Sequence, residues 1–338
     1  MWITYIVVLI VLMVLELIYF KIADKYNIID KPNERSSHST IVLRGGGIIF
    51  PLSMLVWAAL QGITGNGDIV IEHLPFLIGL VLIAGVSFWD DVHSLPDSVR
   101  LIAQFVAMGL MFWNLDIMHW NMWWIVIIAL IVFVGATNVI NFMDGINGIT
   151  AGYSFAVLLP LLLMNRTMGF ASESMFAVAI LGIVVFSFFN FRPRGKAKCF
   201  AGDVGSVGIA FIILFAIGKL ILSTNDITWL TFLIVYGIDG CCTILHRIML
   251  HENLGEAHRK HAYQLMANEL GMSHVAVSLI YMALQLAISL VMVYLIPNTI
   301  LAHWIYLIAA ALVLAVAYVL FMMKYYHLHE EYLDSLKK

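Results

Sequence analysis

The chain has 338 residues, 62% of them hydrophobic and only 12% charged, with a formal net charge of −3. A soluble domain carries about 25% charged residues, so the composition excludes water as the main solvent, and nothing in the charge balance points to nucleic acid. The three cysteines, Cys199, Cys241 and Cys242, exclude a disulfide framework and are expected as reduced thiols at or below the inner membrane face.

In lipid, only helices and closed barrels satisfy their own backbone polar groups. The apolar runs are about 16–22 residues long, which suits helices, since barrel strands need only about 9–11. They fall at residues 3–20, 45–63, 74–89, 99–115, 122–140, 149–164, 175–189, 207–222, 229–245, 275–296 and 304–323. The expected fold is therefore an all-α, polytopic membrane helical bundle of about eleven spans. No repeat or low-complexity segment divides it, so residues 1–338 are expected to form one domain. The first run has no basic residue before it and no small-residue cleavage site after it, so it reads as a retained helix. Glu16 within it is expected to face other helices or lie near the interface. A polar stretch at 256–270 predicts a helix on the membrane surface, and the tail after Met323 predicts a short helical extension.

Of the 18 Lys and Arg residues, all but Arg166 and Lys219 fall in connections on one side. By the positive-inside rule that side is cytoplasmic. The expectation is a multi-pass membrane protein, its N-terminus outside, its C-terminus and polar loops in the cytoplasm.

Those inner loops carry the candidate chemistry. Asp90-Asp91 ends the third run. Two adjacent carboxylates raise each other's pKa or recruit a cation; an ordinary acidic turn is the alternative. After the acid pair, Arg100 and Gln104, one turn apart, suit phosphate contacts or interfacial anchoring. Asn138, Asn141 and Asp144 recur at threes and share a helical face, and Asn147 follows between glycines; helix-end capping is the alternative. Asn190 to Ser206, NFRPRGKAKCFAGDVGS, gathers four basic residues, then Phe200, then Asp203 between glycines. A helix starting there favours an anion, and Asp203 could hold Mg²⁺ or simply cap. His258-Arg259-Lys260-His261 could hold phosphate, or touch anionic lipid. The glycines after Arg44 suit phosphate binding or close helix contact. Asp239, inside the ninth run, is a functional candidate or a partner within the bundle.

Taken together and in this order, these motifs resemble the polyprenyl-phosphate N-acetylhexosamine-1-phosphate transferases of glycosyltransferase family 4. PNERSSH, RGGG and GEAHRKHAYQ look closest to the O-antigen and capsule-initiating subgroup. His258-Arg-Lys-His261 departs from the consecutive histidines of the muramoyl-pentapeptide translocase. The resemblance implies transfer of a sugar 1-phosphate from a UDP-N-acetyl-sugar to undecaprenyl phosphate with release of UMP, dependent on Mg²⁺ or Mn²⁺. It implies Asp203, with Asp91, as metal ligands, and Asp90, Asp91, Asp144, His258 and His261 as catalytic. Substrate contacts would come from His38, Arg100, Asn138, Asn141, Asn147, Asn190, Phe200 and Arg259, with Phe200 placed to stack on the base. Membrane lipids are the expected surroundings; a homodimer and a covalent phospho-aspartate route are left open. A transporter is the rival class, but it needs polar groups near the bilayer midplane, whereas these acids cluster at inner helix ends.

Overall fold

The computed structural model describes residues 2–30, 41–118, 121, 123–255 and 258–336. The chain folds into helices α1 (Trp2–Lys25), α2 (Ile49–Ile63), α3 (Gly67–Glu72), α4 (Leu74–His93), α5 (Asp97–Asn114), α6 (Trp123–Phe142) and α7 (Ile149–Met168). They are followed by α8 (Glu173–Asn190), α9 (Gly202–Thr224), α10 (Ile234–Met249), α11 (Ala262–Asn268), α12 (His274–Tyr294) and α13 (Ile300–Leu336). Short 3-10 turns, Gly46–Ile48 and Ile227–Leu233, lead into α2 and α10. The strands among the described residues are β1 (Ile29–Asp30) and β2 (Val42–Leu43), paired antiparallel.

Among the described residues, ten helices are long and apolar enough to cross a membrane. The remaining expected span, α5, is diluted by Asp97, Arg100 and Gln104. It nevertheless packs along the full length of α4, and Asn114 at its far end donates to the Glu72 carbonyl just before α4 begins. α5 thus traverses the bundle as the apolar run at 99–115 implies. The polar stretch at 256–270 is helical only over Ala262–Asn268, and His261 is the N-cap of that helix. The tail is helical, as expected, since α13 runs on to Leu336.

The polar connections meet at one end of the bundle. Arg44 reaches Asp91, Asn147 reaches the carbonyls of Arg192 and Pro193, and His329 on α13 reaches Glu269. The opposite end is tied by Arg166–Glu173 and by Asp226–His303. Between the two ends, the outer faces of α1 and α13 expose rows of residues such as Ile6, Ile10, Val14, Ile308, Leu312 and Val316. Lipid tails are as apolar as these side chains, so helix association here rests on close packing more than on escape from water.

α9 is the central helix, buried along almost its whole length and packed against α2, α4, α6 and α7. Small residues allow it. A Cβ on Gly205 would lie 2.5 Å from the Gly47 Cα, and one on Gly47 would lie 2.4 Å from the Gly205 Cα. The segment before α2 is zipped to the segment before α9: Phe200 N donates to Leu43 O at 2.8 Å, Gly46 N to Phe200 O at 2.8 Å and Gly47 N to Ala201 O at 3.0 Å. The glycine run after Arg44 therefore serves backbone contact, and it places Arg44 at the start of α9. Glu16 is fully buried behind it, with the Cys199 thiol 3.9 Å from its carboxyl.

Gly205→Ala forces two backbones apart and is expected to cost about 1–3 kcal/mol of stability. Gly85→Ala, where an added Cβ meets nothing within 4 Å, is the control. Thermal unfolding in detergent should show a lower midpoint for the first variant and none for the second.

Candidate active site

The start of α9 organises the polar end. Gly202 has φ +69°, a left-handed turn that glycine accepts without strain, and a Cβ there would meet Asp91 Oδ2 at 2.6 Å. The first amides of α9 then point at Asp91. Its Oδ1 accepts from Asp203 N and its Oδ2 from Val204 N, both at 2.9 Å. Arg44 Nε closes the other side of Oδ1 at 2.7 Å. The anion that the helix start favours is thus a side chain of α4. Both its oxygens are occupied and its side chain is buried, so here Asp91 caps α9 and, unlike Asp203, does not line the cavity.

Asp90 faces the other way, toward Asp203. Arg100 Nη1 donates to Asp90 Oδ2 at 2.8 Å and to Asp203 Oδ2 at 3.3 Å, while its Nη2 reaches Asp97 at 2.9 Å. Leu95 N also donates to Asp90 Oδ1. One guanidinium among three carboxylates leaves an excess of negative charge. No group of three or more His, Cys, Asp or Glu side chains able to hold a metal occurs among the described residues. Two adjoining carboxylates at an open cavity still fit Mg²⁺, which takes one or two carboxylates and completes its shell with water and substrate oxygens.

That cavity has a volume of about 470 Å³, and its walls include Arg100, Gln104, Asn138, Asn141, Asp203, Arg247, His258 and His261. Asn138 donates to Gln104 Oε1 at 2.8 Å and to Val134 O at 2.8 Å, and Gln104 returns a bond at 3.3 Å. The pair forms a fixed polar wall, with Asn141 one turn along. Arg247 arrives from α10, its guanidinium held by Glu252 and by the carbonyls of Asn253 and Leu254.

Asp144 is at the same end but outside the cavity lining. It accepts from Thr150 Oγ1 at 2.5 Å. Burial pushes its carboxyl up to about 7; the Thr150 bond opposes the shift, the charge of Asp91 adds to it and Arg44 counters it.

The histidine loop departs from expectation. Its rings lie 5.0 Å apart, but burial, together with His261, Arg247 and Lys260, pulls His258 down to about 3. With no anion beside it, the ring is neutral at physiological pH. His261 is buried, with Nδ1 3.2 Å from Asp239 Oδ1. Arg259 turns away from the cavity: its Nη2 bonds Glu269 at 2.7 Å and its guanidinium lies over Tyr332 at 3.9 Å.

Two asparagines expected on substrate are scaffold. Asn147 donates to the Arg192 and Pro193 carbonyls at 2.9 and 3.1 Å. Asn190 accepts from Gly148 N at 2.7 Å and donates to Cys199 O at 2.8 Å. Phe200 is not among the residues lining the cavity. His38 lies outside the described residues. Arg44 and Arg247 are the residues that motif reading did not place in the site, while Gln104 and Asp239 were candidates with no assigned role. The signal for Arg247 and Asp239 was present, since Asp239, Thr243 and Arg247 recur at fours and share a helix face.

Fold and site together define a polytopic membrane protein with a polar cavity of about 470 Å³, lined by both acidic and basic side chains, at one end of its bundle. Residues 73–221, from the start of α4 almost to the end of α9, match the model of glycosyl transferase family 4. Over that span the chain is similar to the family that its motifs resemble. It is 27% identical over 299 residues to the "Probable undecaprenyl-phosphate N-acetylglucosaminyl 1-phosphate transferase" of Bacillus subtilis, covering 83% of this chain and 81% of that protein. It is 26% identical over 225 residues to the undecaprenyl-phosphate alpha-N-acetylglucosaminyl 1-phosphate transferase of Salmonella typhi, covering 61% and 58%. It is 29% identical over 177 residues to the phospho-N-acetylmuramoyl-pentapeptide-transferase of Moorella thermoacetica, covering 48% and 50%. The chain thus spans most of the Bacillus protein and about half of the other two.

Asp91→Ala removes the acceptor of two helix amides and strands Arg44, and is expected to cost about 1–3 kcal/mol. Asp203→Asn leaves the α9 amides and their acceptor in place, so thermal unfolding should separate the two variants. His258 has a folded pKa below the unfolded value of about 6.5. Its contribution to stability is complete above that value and is lost as pH falls toward about 3. His258→Gln should therefore lose less stability than the native chain when melting is followed from pH 6.5 down to pH 4.

Proposed function

We propose that the chain transfers N-acetylhexosamine 1-phosphate from a UDP-sugar to undecaprenyl phosphate, giving undecaprenyl-diphospho-sugar and UMP. The observation that carries this reading is the meeting of Asp90 and Asp203 on one guanidinium at the wall of a cavity that also presents Asn141, Arg247 and His261. Similarity to the family and the names of the relatives support it. The Bacillus relative, matched over most of its length, favours N-acetylglucosamine as the sugar.

The acceptor phosphate oxygen attacks the phosphorus bearing the sugar. The bond from that phosphorus to the bridging oxygen breaks, and its electron pair leaves on UMP. A phosphate monoester has a second pKa near about 6, so the acceptor needs little deprotonation at neutral pH. Asp203, which lines the cavity, would hold Mg²⁺ or Mn²⁺, and Asp90 would join it by giving up Arg100, which the two carboxylates share. When bound, that ion supplies charge neutralisation of the diphosphate and of departing UMP. Before it binds, Arg100 orients both carboxylates, and Asn138 with Gln104 keeps the rear wall rigid. Direct displacement fits better than a phospho-aspartate at Asp91, because Asp91 has both oxygens on the first amides of α9 and one of them also on Arg44.

The Lys and Arg of the site end support a cytoplasmic site by the positive-inside rule, on the side where UDP-sugars are made. The product would begin a cell-envelope polysaccharide such as O-antigen or capsule.

The test is to incubate membranes containing the chain with undecaprenyl phosphate, Mg²⁺ and a panel of UDP-sugars, then to measure UMP and the mass of the lipid product. UDP-N-acetylglucosamine should give both. Asp203→Asn should abolish UMP release while the protein still folds. No UMP with any sugar, or near-normal turnover in Asp203→Asn, would contradict the reading.

A further inference from the structure

None of the four cations between α8 and α9 lines the active-site cavity. Three of them, Arg192, Lys196 and Lys198, instead meet Lys21 from the end of α1 around a second cavity of about 870 Å³. Asp24 is the one carboxylate among its described lining residues, so positive charge is in clear excess. The other walls are apolar, from Phe20, Ile29, Ile41, Val42 and Leu43.

The basic segment is held in place. Lys196 N donates to Pro193 O and Lys198 N to Phe189 O, both at 3.0 Å, and Asn147 takes the Arg192 and Pro193 carbonyls. Gly195 makes the turn between them at φ +75°. Phe20 packs edge-on against Phe189, ring centres 4.8 Å apart, which ties the end of α1 to the same segment. The Arg192 guanidinium donates to the Phe188 carbonyl. Lys21, Lys196 and Lys198 are exposed, and among the described residues none has a carboxylate partner.

A topology signal needs only Lys and Arg in a loop. It does not need segments from α1, the β1–β2 pair and the α8–α9 connection to converge on an apolar recess. The recess also lies at the edge of lipid. The apolar run of α1 ends at Phe20, and Leu17, Ile18 and Phe188 around it are exposed. An acidic protein segment would answer the charge but not an apolar wall that continues into the lipid-facing side of α1.

We propose that this groove binds one anionic phospholipid of the adjoining leaflet, its phosphodiester among Lys21, Lys196 and Lys198 and an acyl chain along Phe20 and Ile41. The site stands apart from the acidic pair and does not rest on the transfer reading. The bound lipid would bridge the end of α1 and the segment that leads into α9, and so stabilise the fold.

The test titrates the full chain, purified in neutral detergent, with dioleoyl-phosphatidylglycerol or dioleoyl-phosphatidylethanolamine, and follows bound lipid by native mass spectrometry. A single phosphatidylglycerol should bind in preference to phosphatidylethanolamine, and added salt should weaken it. Lys196→Gln with Lys198→Gln should weaken it about 10- to 30-fold. Lys25→Gln with Lys324→Gln removes the same charge elsewhere, from ammonium groups that lie over Tyr26 and Tyr325, and should leave binding unchanged. Equal loss in both pairs, or equal affinity for the two lipids, would reduce the groove to diffuse surface attraction and overturn the proposal. Glycerol phosphate, a headgroup without chains, should not compete; if it does, the site takes free phosphate and the lipid assignment fails. Undecaprenyl phosphate at equal concentration should not displace phosphatidylglycerol; displacement would make the groove an acceptor site and overturn the proposal in the same way. Thermal unfolding checks the fold. Without added lipid both variants should melt with the native chain, since the lysines are exposed. Phosphatidylglycerol should raise the midpoint of the native chain and of the Lys25 pair but not of the Lys196 pair, and an equal rise in all three would overturn the site.

Discussion

The contact on which the polar end depends is the one between the Asp91 carboxylate and the first amides of α9. A helix buried in a membrane bundle begins with amides that have no partner of their own. Here a side chain of α4 supplies the acceptor, and Arg44 supplies the counter-charge. That single carboxylate joins the segment before α2, the end of α4 and the start of α9. With α9 fixed in this way, Asp203 emerges one residue into the helix beside Asp90, and Arg100 from α5 can hold both. The position of the acidic pair is therefore set by packing in the middle of the bundle rather than by the polar loops around it.

The acid pair and the cation-rich wall divide the work. Asp90 and Asp203 provide excess negative charge, suited to a divalent ion. Arg247 and His261 face them from α10 and the loop before α11. A metal–diphosphate unit would fit between the two groups with its charges answered on both sides. Low dielectric strengthens such pairings, and burial is also what keeps His258 neutral until something anionic approaches. The α13 extension covers the back of this loop through His329, Glu269, Arg259 and Tyr332. It holds the histidine segment in place without entering the cavity.

Much of the fold was legible because lipid imposes a simple rule: long apolar runs become helices, and Lys and Arg mark one side. α5 shows the limit, since Arg100 and Gln104 lower its hydropathy because they line the site. Asp203, Asn138, Asn141, Arg100 and His261 were legible as polar residues at the ends of apolar runs. The choice between Asp90 and Asp91 was not. Adjacent helix residues point about 100° apart, and only the position of α9 decides which carboxylate is spent as its cap. Asn147 and Asn190 look like ligand groups because loop-stapling asparagines have the same composition. In the histidine cluster, an extended path before α11 sends Arg259 to Glu269, while Arg247 reaches the cavity from a helix eleven residues upstream of His258.

The central claim is that Asp203 and Asp90 hold one divalent ion together with the diphosphate of a nucleotide sugar. Its most direct test is electron paramagnetic resonance of Mn²⁺ bound to the purified chain with a UDP-sugar. The account predicts one Mn²⁺ per chain with hyperfine coupling to ³¹P, lost in Asp203→Asn. Mn²⁺ that binds without ³¹P coupling, or keeps that coupling in Asp203→Asn, would contradict it.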